Sequence, residues 1–124
     1  MIFFTADQHF GHKNILRYCK RPFKTVEEMN EEIIKRHNEV VNDGDIVYHL
    51  GDVTMRTDPY PFLKRLNGTH RFIQGNHDSK KFKRAFPHIL EETIKGQHMV
   101  LSHYALRVWN RSHYGSWNLY GHSH

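Results

Sequence analysis

The chain has a single cysteine, Cys19, among its 124 residues. One cysteine excludes an internal disulfide, which is typical of a protein from a reducing compartment. Thiolate chemistry would also need a base beside Cys19, and the sequence identifies none. We therefore interpret Cys19 as a core or helix residue.

Long apolar runs and targeting segments are missing as well. No stretch approaches the roughly 18 apolar residues that a membrane-spanning helix needs. The N-terminus has no basic region followed by a long apolar stretch and a cleavage site, so it does not resemble a signal peptide. Internal repeats and linker-like Gly/Ser tracts are absent too. We predict a single cytoplasmic domain over residues 1–124, with no membrane partner.

Histidine, in contrast, is abundant. The chain contains 12 histidines, and they are dispersed instead of forming the contiguous run of a purification tag. Imidazole is the commonest metal ligand and the usual proton shuttle near neutral pH. The formal net charge of +5, with histidines neutral, favours anionic partners such as phosphates or nucleic acid.

Short apolar runs followed at once by polar, ligand-type residues recur along the chain. They are rich in β-branched and aromatic residues and end at glycine or polar residues, which is typical of strands. We predict strands in residues 2–4, 46–50, 71–74, 98–101 and 117–120.

Helical patterns lie between these runs. Apolar residues recur with helical spacing over residues 25–41, where Thr25 and Glu28 have the spacing of a capping box and Gly44 follows the end. Shorter helices are predicted over residues 12–19, 61–66 and 79–86. Residues 95–97 resemble a tight turn that joins residues 89–94 to the next strand as a hairpin.

This order of elements indicates an α/β fold, a layered mixed β-sheet with flanking helices. Ligands bind outside the carboxyl ends of the strands in such sheets, so the polar residues after the five runs are expected to converge. The donors are carboxylate, amide and imidazole groups, which suit manganese, iron, zinc, cobalt or nickel. They are too many for one four-coordinate ion and about right for two ions that share a carboxylate. The candidate metal ligands are Asp7, His9, Asp52, Asn76, His103, His122 and His124.

Five motif blocks occur in one order from residue 7 to residue 124. They are Asp7-x-His9, Gly51-Asp52, Gly75-Asn76-His77-Asp78, the lone His103 and Gly121-His122-x-His124. Each block alone is weak, but five in order, each after a strand-like run, are specific. The set resembles the calcineurin-like metallophosphoesterase superfamily, and the resemblance implies that fold in a truncated or minimal form.

The resemblance also implies a dinuclear site and a mechanism. One metal would be held by Asp7, His9, Asp52 and His124, and the second by Asp52, Asn76, His103 and His122, with Asp52 as the bridge. The ions would be two divalent cations, Mn²⁺ in the first place and Fe, Zn, Ni or Co as alternatives. A hydroxide between the metals would attack phosphorus, while His77 contacts the phosphate and acts as general acid, with Asp78 orienting it.

Further residues suggest the class of substrate. His12 lies one helical turn from His9, and Arg107 precedes the last motif, so both are candidate substrate contacts. The short segment between Asp52 and Gly75 leaves no room for a cap domain, and an open groove admits phosphodiesters as readily as monoesters. The basic residues Lys80, Lys81, Lys83 and Arg84 favour a nucleotide or nucleic-acid phosphodiester as substrate. The alternative interpretation of these residues is a solvated helix face without a role in binding.

The predicted function is therefore metal-dependent hydrolysis of phosphate esters, with phosphodiesters as the favoured substrates. Two alternatives stay open: a metal-stabilised module that binds an anion or a protein without turnover, and a metal-free basic nucleic-acid binder. His49 is predicted to be a core residue or to support a ligand. Members of the superfamily ordinarily continue through further strands after the last motif, so we expect a minimal member or part of a longer chain.

Overall fold

The computed structural model describes residues 1–124 and contains two three-stranded sheets. Parallel strands form the first sheet, in the order β1 (Ile2–Thr5), β2 (Ile46–His49) and β3 (Thr69–Phe72). The second sheet contains β4 (Ile89–Ile94), β5 (Gln97–Ser102) and β6 (Trp117–Tyr120). Strand β5 pairs antiparallel with β4 and parallel with β6. The predicted α/β class is confirmed, with the mixed pairing confined to the second sheet.

The mixed pairing follows from the lengths of the connections. Lys95 and Gly96 join β4 to β5, and their positive φ angles of 50° and 81° are those of a two-residue hairpin turn. Such a short turn forces antiparallel pairing, as the sequence predicted. The longer segment between β5 and β6 includes a short 3-10 helix (Ser112–Tyr114) and returns the chain for parallel pairing.

The four helices lie where they were predicted, although all four are shorter than predicted. They are α1 (Ile15–Tyr18), α2 (Val26–Val40), α3 (Tyr60–Leu63) and α4 (Lys80–Ala85). The Thr25 hydroxyl accepts the Glu28 N–H at 3.1 Å and so caps α2, whereas the Glu28 carboxylate accepts the Lys24 N–H. The longest helix has 15 residues, and no helix combines the length and apolarity needed to cross a membrane.

Two apolar clusters form the core and define the layers. One contains Phe10, Ile34 and Phe82 and packs α2 and α4 beside the first sheet. The other contains Tyr48, Ile73 and Leu101, which come from both sheets, so the two sheets pack against each other across it. Because β1, β2 and β3 are parallel, their carboxyl ends lie at one edge of the sheet. The ligand loops after β1, β2 and β3 begin at this edge, whereas His103 and the last motif follow β5 and β6 of the second sheet.

Candidate metal centre

Backbone hydrogen bonds join the loops that follow β1 and β2. The Asp7 N–H donates to the Gly51 carbonyl at 3.0 Å, and the His9 N–H donates to the Asp52 carbonyl at 3.1 Å. A parallel bridge between Phe10 and Thr54 continues the pairing. The loops that carry the first two motifs are therefore held in register beyond the strand ends.

Five of the seven predicted ligands have left-handed backbone conformations. Their φ angles lie between 55° and 66°, and the residues are Asp7, His9, Asp52, His122 and His124. Each such residue costs on the order of 1 kcal/mol or more, and it persists only where the surrounding structure imposes it. Left-handed residues of this kind cluster at functional sites. The turns aim side chains from successive motifs into one region, which an extended strand would not do.

The structure brings all seven predicted ligands together in two adjoining groups. Asp7, His9 and His124 form one group, and Asp52, His103 and His122 form the other, with the ligand atoms of each group within 4.8 Å of one another. The Asn76 side-chain oxygen lies 3.0 Å from Nε2 of His103, beside the second group.

Asp52 lies between the two groups. Its Oδ2 atom is 3.2 Å from Nε2 of His103 and 3.5 Å from Nε2 of His9. Its Oδ1 atom accepts the backbone N–H of His77 at 2.8 Å, which fixes the orientation of the carboxylate. One oxygen of Asp52 therefore faces ligand atoms of both groups.

Three buried atoms at the centre have no hydrogen-bond partner in the protein. They are Oδ1 of Asp7, Nε2 of His9 and Oδ2 of Asp52. A buried polar atom without a partner is costly, and convergent lone pairs on carboxylate and imidazole atoms are what a divalent cation binds. The residues present therefore fit divalent metal ions.

Protonation states in the metal-free protein support the same conclusion. Nδ1 of His103 lies 2.7 Å from the Leu50 carbonyl, which can only accept, so this nitrogen carries a proton. Burial opposes protonation of His103, but the Asp52 carboxylate and the Leu50 carbonyl outweigh it and raise the pKa of His103. Burial likewise opposes ionisation of Asp52, yet His103, His9 and the His77 N–H lower the pKa of Asp52 far below its ordinary value. Asp52 is therefore held in the ionised form that a metal ligand requires.

The C-terminal motif is tied to the first motif. The His122 N–H donates to Oδ2 of Asp7 at 2.8 Å, and the Gly121 N–H donates to the His103 carbonyl at 3.0 Å. Nε2 of His124 lies 3.7 Å from Oδ1 of Asp7. Burial, together with the neighbouring positive groups, lowers the pKa of His124 and so favours the neutral imidazole that a metal requires.

Asp78 has a different role from the one predicted. Its carboxylate accepts the backbone N–H groups of Asp52, Val53 and Gly75 at 2.7–2.9 Å, and the hydrogen bonds of the structure do not link it to the His77 imidazole. Asp78 is buried, and burial raises its pKa. The carboxylate thus joins the loops after β2 and β3 and positions the backbone of Asp52.

The remaining predicted residues divide into two kinds. His77 and His12 border the centre, since the ring centroid of His9 is 5.6 Å from that of His77 and 5.2 Å from that of His12. Burial, and then the nearby His9 and His77, lower the pKa of His12. Arg107 is exposed in the segment between β5 and β6 and makes no hydrogen bond to the ligands, so its contact with substrate stays a prediction.

Arg21 supports the first ligand loop, a role that no pattern in the sequence indicates. Its guanidinium donates to the carbonyls of Asp7 and Gln8, both at 2.6 Å, and approaches Nδ1 of His124 at 3.5 Å. Arg21 precedes Pro22 in a polar stretch and has no motif around it. A residue that acts on the backbone of a distant segment leaves no local signal.

A chain of buried histidines lies behind the same loop. His49 is fully buried, with Nδ1 2.9 Å from the Gln8 amide nitrogen and Nε2 2.9 Å from Nδ1 of His70. Nε2 of His70 donates to the Leu66 carbonyl at 3.2 Å, so each ring accepts at Nδ1 and donates at Nε2. Burial lowers the pKa of both histidines, that of His49 strongly. His49 therefore supports Gln8, which lies between two candidate ligands, and makes no hydrogen bond to a candidate ligating carboxylate.

Comparison with known proteins identifies relatives along the whole chain. The calcineurin-like phosphoesterase superfamily domain matches residues 2–124. An uncharacterized protein of Methanocaldococcus jannaschii is 41% identical over 127 residues, which cover 99% of this chain and 69% of that protein. The gene 66 protein of Mycobacterium phage L5 is 31% identical over 80 residues, which cover 60% of this chain and 38% of that protein.

Solved structures show the same fold. A protein of unknown function from Aquifex aeolicus has a TM-score of 0.69 and 30% identity, over 84% of this chain and 60% of its own. A predicted phosphoesterase of Streptococcus pneumoniae has a TM-score of 0.51 and 21% identity, over 98% of this chain and 60% of its own. The chain thus spans about 60% of the length of these two structures. The family match over nearly the whole chain confirms the resemblance carried by the five motifs: the chain belongs to the calcineurin-like phosphoesterase superfamily.

Proposed function

We propose that the chain hydrolyses phosphodiesters with the help of two divalent metal ions. The observation that carries this proposal is the convergence of unpartnered, buried lone pairs from Asp7, His9 and Asp52. Membership of the superfamily supports phosphoester hydrolysis with divalent metals as the class of reaction.

The two groups of donors support the assignment of the ligands. Asp7, His9, Asp52 and His124 would hold one cation, and Asp52, Asn76, His103 and His122 would hold the other. When bound, the two cations would supply Lewis-acid stabilisation of the phosphoryl oxygens and an activated water for in-line attack. The donor set favours Mn²⁺, with Fe, Zn, Ni and Co as alternatives.

His77 is proposed as the general acid for the leaving oxygen. Its backbone is fixed at both ends, because its N–H donates to Asp52 and its carbonyl accepts the Arg56 N–H at 2.7 Å. The half-buried imidazole makes no hydrogen bond within the protein, so both of its nitrogens are free for substrate. His12, close to His9 and His77, is proposed to contact the phosphate from the neighbouring side.

The open rim supports a diester as substrate. The segment between Asp52 and Gly75 forms only α3, β3 and short loops, and it places no cap over the centre. His122 and His124 are exposed on the other side of the rim. Residues 1–124 therefore leave room beside the centre for a second ester group on the phosphate.

The proposal is tested by hydrolysis of bis(p-nitrophenyl) phosphate with and without Mn²⁺, together with metal analysis of the purified protein. We expect Mn²⁺-dependent turnover and close to two metal ions per chain. Asp52→Asn should lower turnover at least roughly a hundredfold and reduce the metal content, because the shared carboxylate loses its charge. The matched control is Asp43→Asn, an exposed carboxylate outside the centre, which should behave as wild type. Full metal occupancy without hydrolysis of any ester would overturn the proposal in favour of a binding module.

A further inference from the structure

A second cavity adjoins the candidate metal centre and has a different chemical character. It has a volume of about 620 Å³, and no apolar residue lines it. Its walls carry three basic side chains, those of Arg56, Lys80 and Lys83, together with Asn76 and Asp78. The Asn76 side chain also contacts His103, so the cavity adjoins the second group of candidate metal ligands.

Arg56 is held at this cavity by its backbone. Its φ angle of 59° is left-handed, a conformation that is costly for a residue with a side chain. The Arg56 N–H donates to the His77 carbonyl at 2.7 Å, which stabilises this turn against the loop after β3. The position of Arg56 is therefore coupled to His77, although the two residues are far apart in sequence.

Helix α4 supplies the other two basic side chains, Lys80 and Lys83. Nζ of Lys83 donates to the Asn76 carbonyl at 2.6 Å, so this half-buried ammonium lies against the backbone of a proposed metal ligand. Lys80 is three residues earlier, on the same face of the helix, and is exposed. The adjacent Lys81 borders a separate, largely apolar cavity with Phe82 and Phe86.

Asp78 does not neutralise this cluster through ion pairs. Its two oxygens already accept three backbone N–H groups, and no salt bridge joins it to the three basic residues. Three positive side chains therefore face one carboxylate that is directed into the loops. Such a polar, net positive cavity suits a phosphate group, which accepts several charge-assisted hydrogen bonds at once.

We propose that this cavity is a subsite for a second phosphate group of the substrate, next to the phosphate that is hydrolysed. The inference rests on the proposed phosphodiesterase function and narrows its substrate class. The favoured substrates carry a further phosphate near the scissile diester, as nucleoside bisphosphate esters and internal linkages of a nucleic-acid strand do. Asn76 lies between the two phosphates, because it borders both the metal centre and the cavity.

The kinetic test compares two chromogenic diesters that differ by one phosphate. One is the p-nitrophenyl ester of thymidine 5′-phosphate, and the other is the same ester with an additional 3′-phosphate. We expect wild type to prefer the second substrate by roughly tenfold in kcat/KM, and the Arg56→Gln and Lys80→Gln variants each to reduce this preference by roughly threefold. Lys81→Gln removes the same charge from the same helix outside the cavity, and it should keep the wild-type preference.

Binding provides a readout that does not need turnover. Calorimetry on the Mn²⁺-loaded protein compares thymidine 5′-phosphate, thymidine 3′,5′-bisphosphate and a short single-stranded oligothymidylate. The bisphosphate should bind more tightly than the monophosphate in wild type and Lys81→Gln, and this difference should shrink in Arg56→Gln. An oligothymidylate that binds more tightly than the bisphosphate would identify a nucleic-acid strand as the source of the phosphate, and equal binding would identify a nucleotide.

The two proposals fail in different ways. The subsite would be overturned if wild type hydrolysed and bound the one-phosphate and two-phosphate compounds equally well. It would also be overturned if Lys81→Gln lost as much of the preference as Arg56→Gln does. Hydrolysis itself would remain in both cases. A bisphosphate preference without hydrolysis of any ester would overturn the hydrolytic function and leave the phosphate subsite in place.

Discussion

Gly75 lies so close to Asp52 that a methyl group on Gly75 would overlap both the backbone nitrogen and the carboxylate of Asp52. The Gly75 N–H and the Asp52 N–H also share one acceptor, Oδ2 of Asp78. Gly75→Ala should therefore displace Asp52, lower the free energy of unfolding by about 1–3 kcal/mol and weaken Mn²⁺ binding. Urea unfolding and calorimetry measure the two effects.

Gly44 provides the matched control for this substitution. A methyl group there would meet no atom within 4 Å, and Gly44 has no left-handed φ angle. Gly44→Ala should leave Mn²⁺ binding unchanged and stabilise the fold by up to about 1 kcal/mol through the unfolded state. Wild-type metal binding by Gly75→Ala would contradict the close approach to Asp52.

The second prediction concerns His77 as general acid. His77→Gln should keep two metal ions per chain, because the ring makes no hydrogen bond to a candidate ligand. It should lower kcat roughly a hundredfold or more for dithymidine phosphate, whose alkoxide leaving group needs a proton. The loss should be much smaller for bis(p-nitrophenyl) phosphate, because nitrophenolate leaves without one.

The control for this experiment is His88→Gln, which changes an exposed histidine away from the centre. It should leave both rates and the metal content unchanged. Equal losses for the two leaving groups in His77→Gln would show that His77 binds substrate without acting as an acid.

The third prediction concerns the Arg21 guanidinium beneath the first ligand loop. Arg21→Lys keeps the positive charge but cannot donate in the same geometry to the carbonyls of Asp7 and Gln8. We expect Mn²⁺ affinity to fall roughly tenfold to a hundredfold, as for other supporting residues of metal ligands. Calorimetric titration measures this change. Arg84→Lys, at an exposed arginine of α4, should bind Mn²⁺ as wild type does.

The fourth prediction uses the buried His49. Its pKa in the folded protein lies well below the ordinary value of 6.5, first because of burial and then because of His70 and His37. Above pH 6.5 the ring is neutral in both the folded and the unfolded chain, so its contribution to stability is fully present. Below pH 6.5 only the unfolded chain takes up the proton, so stability falls with pH by at most about 1.4 kcal/mol per unit for this residue.

Urea unfolding between pH 7.5 and 5.5, with a chelator present, tests this effect of His49. His49→Gln should show a shallower loss of stability below pH 6.5 than wild type, whatever its stability at pH 7.5. The exposed His88→Gln should keep the wild-type slope. Parallel curves for wild type and His49→Gln would mean that His49 accepts its proton in the folded state.

Local signals explain what could be predicted. The hairpin turn at Lys95 and Gly96 and the cap of α2 at Thr25 depend on neighbouring residues, so their motifs were sufficient. The order of the five motifs also predicted the superfamily, since each motif follows its own strand. Helix α1 is shorter than predicted. The residues before Ile15 belong to the turn that follows His9 and are not part of the helix.

The sequence by itself determined which donors follow which strands, and therefore the candidate ligands and the class of fold. Only the tertiary structure decided how those donors are held. The ligand turns are left-handed, and three backbone N–H groups donate to the Asp78 carboxylate. The Arg21 guanidinium donates to the carbonyl of Asp7. The tertiary structure also decided that Arg56 shares a cavity with two lysines of α4. These contacts join residues distant in sequence, and their geometry depends on how the strands and helices pack, so no local pattern contains it.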